Sequence, residues 1–523
     1  MKKVIKNWWL PVLFLFVLVV VAFVIRIYHL TILPVFADEA IYIRWSQIMA
    51  HEPTLRFLPL SDGKQPLFMW ILMFVVSRIS DPLVAGRLLS IVSGLGTIIG
   101  IFLLSYYLFK NKWISLIASS FWIFSPYSFF FDRMALVDSL LALFIIWTAY
   151  LASITAKTKR LDMAMLTGFA LGFASLTKSP ALFAALLIPS SWILSNWPKS
   201  LKGKLTNLFN LGLLTIPTYL IALAMYNIQR LGPNFNMLTS RTQDYVFPIS
   251  HLWLNPKDPF IFLIDRAIEW LRLMGPWPFL ILVIVGLIVN FKKQWKEKLF
   301  LFSWWVVPTL IQTEFAKVFT ARYELYTIAF LFIIAASAFT TKVKYLKIFC
   351  VLIFALWLGL ALRFDYLLLT HPEKANLPQS ERSGYLEEWT AGTGIRQVSD
   401  FIKQEHLSNP NEKIVIGTEG YFGTLPDGLQ IYLQDIPNVT VIGVGLDFGS
   451  VPDQLKVSAK SGTKTYFVAN SSRMKFKNPV ESYGLKIIKT FQKADRKQKD
   501  THEYLWFGPY DTFYLFEVTP SAI

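Results

Sequence analysis

The sequence predicts an all-α polytopic membrane domain followed by an extramembrane α/β domain, on three observations. Of the 523 residues, 54% are hydrophobic and only 16% charged, where a soluble chain carries about a quarter charged residues, and the mean hydropathy is +0.46. Apolar runs long enough to cross a hydrocarbon core of about 30 Å recur as far as Tyr366. From about Thr370 the composition turns soluble: Gly, Pro, Asn and charged residues rise and long apolar runs stop. The expected domains are therefore residues 1–369 and 370–523.

The first span opens at Trp8-Trp9 and runs to about Tyr28. It is too long for a signal-peptide core and has no small-residue cleavage site, so it reads as a retained helix. Further spans read as 86–109, 113–131, 139–156, 163–177, 180–197, 207–227, 276–291, 299–313, 324–341 and 346–366, about eleven in all. Leu67 to Val76 is a shorter apolar run closed by Ser77-Arg78. It covers about 15 Å, half the hydrocarbon thickness. Residues 66–79 are therefore expected to form an interfacial or re-entrant helix; as a full span they would reverse every later loop.

The net charge is +17, which in a soluble protein would suggest nucleic acid. Here the positives sit in alternate short connections: Lys2, Lys3, Lys6; Lys110, Lys112; Lys157, Lys159, Arg160; Lys199, Lys202, Lys204; Lys292, Lys293, Lys296, Lys298; Lys342, Lys344, Lys347. Only Asp162 and Glu297 oppose these eighteen. That is the positive-inside pattern of a plasma-membrane protein with a cytoplasmic N-terminus, and it disfavours a nucleic-acid partner. Cys350 is the sole cysteine, so no intrachain disulfide forms.

This parity sends every oddly placed charge of the apolar half to the outer face. Asp38-Glu39 follows the first span by about ten residues. Two adjacent carboxylates there suit acid–base chemistry at a membrane surface, or, more plainly, the N-cap of a helix over 39–50. Lys64 precedes the dipping segment through Trp70, suited to a lipid phosphate or to interfacial snorkelling. Asp132-Arg133 and Asp138 lie between Phe-rich and Leu-rich spans, and Asp138 stands about a turn inside the apolar stretch, where a carboxylate is costly unless it faces a polar cavity. Lys178 is the only charge between about 163 and 198; it anchors a turn at the head groups or meets a ligand. Arg322-Tyr323 opens the span 324–341, with Arg322 suited to clamp phosphate oxygens or to pair with Glu314 or Glu324. His29, His51, His251 and His371 have no paired metal-ligand spacing, so no metal site is assigned.

In the tail, Lys413-Ile-Val-Ile-Gly-Thr, Val439-Thr-Val-Ile-Gly-Val, Thr465-Tyr-Phe-Val-Ala and Thr512-Phe-Tyr-Leu-Phe-Glu-Val read as short buried strands. Helical stretches near 393–407, 424–434 and 451–460 alternate with them, which gives an extracytoplasmic α/β domain. Gly417-Thr-Glu-Gly420 lacks nucleotide-loop spacing and reads as a strand-to-helix turn.

The ordered set Asp38-Glu39-x-x-Tyr42, Lys64-x-Pro66-Leu67-x-x-Trp70, Arg133-x-x-x-x-Asp138, Gly172-x-x-x-Leu176-Thr177-Lys178-x-Pro180 and Arg322-Tyr323 resembles the glycosyltransferase-C superfamily. Within it, the set is similar to glycosyltransferase family 39, with the protein O-mannosyltransferases and the lipid A aminoarabinose transferases. Two positions depart from the family's pattern. Gln65 stands where a first proline is usual after the lysine, and Ser179 where a glycine is usual. Gly63 also stands where some relatives carry a metal-binding carboxylate.

The resemblance implies an inverting transfer of a sugar from a polyprenyl-phosphate carrier to an acceptor hydroxyl of a protein, lipid or glycan at the outer face. It implies Asp38 as proton acceptor, with Glu39 and Asp138 orienting neighbouring groups, and Lys64, Lys178 and Arg322 on the donor phosphate with Tyr42 and Tyr323. No cofactor is required by it; a divalent metal near Glu39 is the lesser alternative. A transporter or flippase of lipid-linked sugars is the rival class, but it is expected to show internal repeats and polar groups on both halves of the membrane. A non-catalytic assembly protein working through its tail is a third, for which Asp38 would be dispensable.

Overall fold

The structure is a computed structural model that describes residues 2–522, with side chains described from Trp8 onward. The side chains of Lys2, Lys3 and Lys6 lie outside that description. In chain order the first helices are α1 (Lys2–Ile27), α2 (Ala37–His51), α3 (Leu67–Leu72), α4 (Pro82–Phe109), α5 (Lys112–Phe124), α6 (Pro126–Phe131), α7 (Val137–Thr158), α8 (Leu161–Thr177) and α9 (Ala181–Leu187). There follow α10 (Leu201–Asn227), the one-turn helices α11 (Met237–Ser240), α12 (Thr242–Tyr245) and α13 (His251–Leu254), then α14 (Phe260–Leu273), α15 (Pro278–Ile288), α16 (Phe291–Phe315), α17 (Leu325–Ser337) and α18 (Lys344–Thr370).

Six helices among the described residues are long and apolar enough to cross a membrane: Trp8–Ile27, Pro82–Phe109, Val137–Thr158, Leu201–Leu231, Ala321–Thr340 and Lys344–Thr370. The pair Phe260–Leu273 and Pro278–Ile288, bent by 102°, adds a seventh when counted as one. Of the remaining expected spans, 163–177 is the shorter helix Leu161–Thr177, 299–313 lies within Phe291–Phe315, which is kinked at Gln294, and the other two are broken. The stretch expected as one span over 113–131 is two helices, because Pro126 has no N–H for the carbonyl of Trp122 and Ser125 turns extended (φ −71°, ψ 126°). α9 tightens at Pro189 into a 3-10 turn, Ile188–Leu194. Within 66–79 only Leu67–Leu72 is α-helical, about 9 Å of rise, so the longer helix expected there does not form.

By packing, the chain divides into two compact units: residues 1–28, 52–71 and 87–378, and residues 29–51, 72–86 and 379–523. The second unit thus takes in two stretches of the chain between α1 and the body of α4 as well as the tail.

In the first unit α7, α8 and α10 pack side by side. A Cβ on Gly172 would come within 2.3 Å of the Met225 sulfur, so glycine is what lets α8 and α10 approach. Buried charges join α1 to α5–α7. Arg26 Nε donates to Asp132 Oδ2 at 3.1 Å, and Asp132 also accepts from Trp122 Nε1 (3.1 Å) and Ser139 Oγ (2.9 Å). Arg26 Nη2 and the Ser128 hydroxyl both donate to the Trp122 carbonyl that Pro126 leaves without a helical partner. Arg133 Nη1 donates to the carbonyls of Ile25, Arg26 and Tyr28, at 3.2, 2.9 and 2.8 Å. It therefore caps the C-terminus of α1, where a cation meets the helix dipole favourably.

The second unit holds α19 (Gln379–Arg382), α20 (Ile395–Ser408), β1 (Ile414–Glu419), α21 (Asp427–Leu433), β2 (Val439–Gly445), α22 (Asp453–Lys460), β3 (Lys464–Asn470), β4 (Leu485–Gln492), α23 (His502–Phe507) and β5 (Thr512–Val518). Its sheet has the order β2-β1-β3-β5-β4. β1 pairs parallel with β2 and β3, while β5 pairs antiparallel with β3 and β4. Phe467, Phe516, Leu455, Phe448 and Leu485 form a core on one face. α2 belongs to this unit: it packs on α21, Gln47 Nε2 donates to the Ile431 carbonyl at 2.9 Å, and the backbone N–H of Ala37 donates to the Thr390 carbonyl at 3.1 Å.

Candidate active site

The site residues expected from the sequence fall into two groups, one in each unit. Asp38, Glu39 and Tyr42 lie on the first turns of α2 in the second unit. Glu39 is fully buried, and its Oε2 accepts from the backbone N–H of Phe36 at 3.0 Å, reaching back across the helix start as a capping carboxylate does. Tyr42 is buried beside Trp45, ring centroids 6.2 Å apart. Asp38 is half-buried in the same first turn, where the helix dipole favours the carboxylate.

Lys64, Asp138, Lys178, Arg322 and Tyr323 all lie in the first unit. Asp138 stands in the first turn of α7, its side chain 2% exposed. Lys178 ends α8 with extended backbone (φ −163°, ψ 147°), and the chain turns into α9 after Pro180. Its Nζ lies 2.5 Å from Asp138 Oδ1. The other oxygen, Oδ2, is buried and accepts no hydrogen bond.

Lys178 Nζ also lies 3.9 Å from the centroid of the Tyr323 ring, and the Arg322 guanidinium lies 5.5 Å from the same centroid. One aromatic ring therefore serves two cations. Glu324 is turned away to accept from Thr309 Oγ1 (2.6 Å), Gln312 Nε2 (3.2 Å) and Thr327 Oγ1 (2.8 Å).

Lys64 follows Gly63, whose φ of +68° is left-handed and whose Cβ, were there one, would meet Arg241 Cβ at 2.7 Å. Arg241 in turn pairs with Asp62 at 2.9 Å, tying the segment before Lys64 to the loop of α11 and α12. Lys64 Nζ donates to the Tyr245 hydroxyl at 3.3 Å and lies 4.9 Å from that ring's centroid. Next to each lysine, Gln65 Nε2 donates to Ser179 Oγ at 2.7 Å. Both residues line a cavity of about 610 Å³ walled also by Thr239, Thr242, Phe247 and Lys317.

Burial pulls the Lys178 ammonium down to about 8; Asp138 holds it up, while the like charges of Arg322 and Lys64 push it further down. Lys178 thus stands with a carboxylate beside it and two like charges near it. Among the described residues no three or more His, Cys, Asp or Glu side chains gather as a metal site. Asp132 and Arg133, singled out as charges between spans, are instead engaged in the buried brace to α1. Tyr245 and the Gln65–Ser179 pair escape sequence reasoning, since contacts between distant loops leave no local pattern.

These features define a class by fold: a helical unit with helices long and apolar enough to cross a membrane, and a small sheet-bearing unit. Residues 63–221 match a sequence model of the dolichyl-phosphate-mannose-protein mannosyltransferase family. The whole chain is similar in structure to ArnT from Cupriavidus metallidurans bound to undecaprenyl phosphate, at 15% identity, a TM-score of 0.57 and 99% coverage of both chains. The apo state of the same protein gives 15% identity, a TM-score of 0.56 and the same coverage. The S. cerevisiae Pmt1-Pmt2 complex bound to the sugar donor matches at 19% identity and a TM-score of 0.33, over 44% of this chain and 34% of that one. No curated protein matches the sequence. The resemblance read from the ordered motifs therefore recurs in the family match and in the fold.

Proposed function

We propose that this protein is an integral-membrane glycosyltransferase that moves a sugar from a polyprenyl-phosphate carrier to an acceptor hydroxyl. The observation that carries the reading is the Lys178–Asp138 pair on the ring of Tyr323, with Arg322 across that ring and Lys64 within electrostatic reach. In the transfer, the bond between the anomeric carbon and the phosphate oxygen breaks as the acceptor oxygen bonds to that carbon from the opposite face, which inverts it. Negative charge grows on the leaving lipid phosphate. Cations already held in a partly dry setting stabilise that charge without having to reorganise. Asp138 keeps Lys178 protonated and oriented. The acceptor proton goes to a carboxylate, and Asp38 is the assigned base. No metal or cofactor enters this scheme.

The lysine distribution supports about eleven crossings of the plasma membrane with a cytoplasmic N-terminus, an outward-facing reaction centre and residues 370–523 outside the membrane. The fold shared with ArnT, which was crystallised with undecaprenyl phosphate, supports a polyprenyl-phosphate donor. The acceptor is a hydroxyl of a protein, lipid or glycan.

Two measurements test the reading. Mass spectrometry of lipid co-purifying with the protein is expected to give a polyprenyl phosphate or its glycosylated form. Protein in vesicles supplied with a polyprenyl-phosphate sugar is expected to release free polyprenyl phosphate and glycosylated acceptor. Movement of intact donor across the bilayer, without cleavage, would establish the flippase reading instead.

A further inference from the structure

Lys64 and Lys178 reach the site from segments 114 positions apart in the chain, as do their neighbours Gln65 and Ser179. Each lysine opens a Lys-x-Pro tripeptide, Lys64-Gln65-Pro66 and Lys178-Ser179-Pro180. The proline restricts the backbone of the residue before it, so both middle residues are held in limited conformations. Those two middle residues are hydrogen-bonded to each other, Gln65 Nε2 to Ser179 Oγ at 2.7 Å.

The bond has a mechanical consequence. The two ammonium groups repel, and Lys64 is one of the like charges acting on Lys178. Nothing covalent holds the Lys64 segment to the α8–α9 turn. A neutral amide–hydroxyl bond one residue beyond each lysine ties the two backbones together without adding charge. It survives at any pH at which the lysines change state, since neither partner titrates there. Both residues border the cavity of about 610 Å³, whose wall carries Thr239, Thr242, Gln243 and Lys317. The tie therefore lies at the edge of open volume, beside the cations.

We propose that the Gln65–Ser179 hydrogen bond is a positioning clasp that fixes the separation of Lys64 and Lys178, so that one phosphate group engages both. The inference rests on the reading that these lysines hold the donor phosphate. Gln65 and Ser179 act through the lysines and are positioning residues, not catalytic ones. Because the clasp acts on the phosphate and not on the lipid tail, it affects lipid-linked and inorganic phosphate alike.

The test uses the full-length protein in lipid nanodiscs, with undecaprenyl phosphate as probe and inorganic phosphate as competitor. Wild type is compared with Gln65→Ala, Ser179→Ala, the double variant and Ser179→Thr, from about pH 6.5 to about pH 9.5, a range that brackets the Lys178 transition. Each alanine variant is expected to weaken undecaprenyl phosphate binding about fivefold, and the double variant by about the same factor, because either change alone opens the clasp. Ser179→Thr keeps the hydroxyl and is expected to bind as wild type does. With the lysines free to separate, their repulsion falls, so the alkaline loss of affinity moves to higher pH in the alanine variants. Inorganic phosphate competition is expected to weaken in the same proportion.

Unchanged affinity in both single variants, additive losses of about twenty-five-fold in the double, or an effect on the lipid with none on inorganic phosphate would each overturn the clasp. If wild type binds no undecaprenyl phosphate at all, the phosphate reading itself fails, and that result is visible before any variant is made. Thermal unfolding of each variant separates loss of the clasp from loss of the fold: a variant that melts with wild type yet binds as tightly overturns the proposal.

Discussion

Lys178 Nζ lies 2.5 Å from Asp138 Oδ1, while Oδ2 of the same carboxylate is buried and accepts no hydrogen bond. The pair joins the first turn of α7 to the C-terminal end of α8, with the Asp138 side chain 2% exposed and that of Lys178 19% exposed.

Lys178→Met removes the charge and leaves Asp138 buried alone. Carrier binding is expected to fall at least tenfold, and stability by about 2–4 kcal/mol. Asp138→Asn in the Lys178→Met background should recover most of the stability and none of the binding. Thermal unfolding and lipid titration measured side by side separate the two effects.

The Lys178 ammonium titrates near 8 in the free protein, and a bound phosphate raises that value. Below about pH 8 no proton need be taken up on binding. Above it, affinity should fall by up to tenfold per pH unit until the bound-state value is reached. Stability moves the other way. The unfolded chain holds the proton to about pH 10.4, so over roughly pH 8 to 10 the unfolded state binds more protons and folding stability rises with pH. Lys178→Arg should flatten the alkaline limb of the binding curve; a limb that persists unchanged would assign it to another group.

Asp38→Asn should lower transfer by about 10²–10⁴-fold while carrier affinity stays within about twofold of wild type. Glu39→Ala should cost about 1 kcal/mol of stability through loss of the contact with the Phe36 N–H. A variant at Asp38 with full turnover would remove it as the base.

Asp132→Ala is expected to cost about 3–5 kcal/mol, because Arg26 is left buried without its carboxylate. Arg26→Met with Asp132→Leu should fold better than either single change. The measurement is melting temperature in a fixed detergent.

Orientation is tested by cysteine labelling in a Cys350→Ala background. Asp62→Cys should react with an impermeant reagent from outside and Asn111→Cys only after permeabilisation. The reverse order would overturn the count of crossings.

Much of this was readable before any coordinates. Most long apolar runs are helical, though those over 113–131 and 180–197 break near a proline, and four of the five strands coincide with β-branched or aromatic runs, β2 being only partly buried. β4, Leu485–Gln492, was missed because most of its residues are exposed and lysines interrupt the pattern. The break at Ser125 was missed because the run around Pro126 is apolar on both sides, and hydropathy does not register a missing N–H. Chain order also misleads about packing: 29–51 lies between α1 and α4, yet Gln47 and Ala37 bond to residues beyond 389. In the site, Lys178, Asp138 and Arg322 stood out in the sequence as charges at the ends of apolar runs, and the structure gathers Lys178 with Asp138 and sets Lys178 and Arg322 on the Tyr323 ring. The Lys64–Tyr245 and Gln65–Ser179 contacts were not legible, since each joins two polar loops that look ordinary alone.

The Arg26–Asp132 brace bears on how the chain is made. Arg26 leaves the ribosome 106 residues before its carboxylate, about 5–20 s at ordinary translation speed. During that interval the first helix carries an uncompensated guanidinium at its end. Its carboxylate arrives only with the segment that follows Pro126, so the earliest-made helix waits for α5 and α6 before its guanidinium is paired.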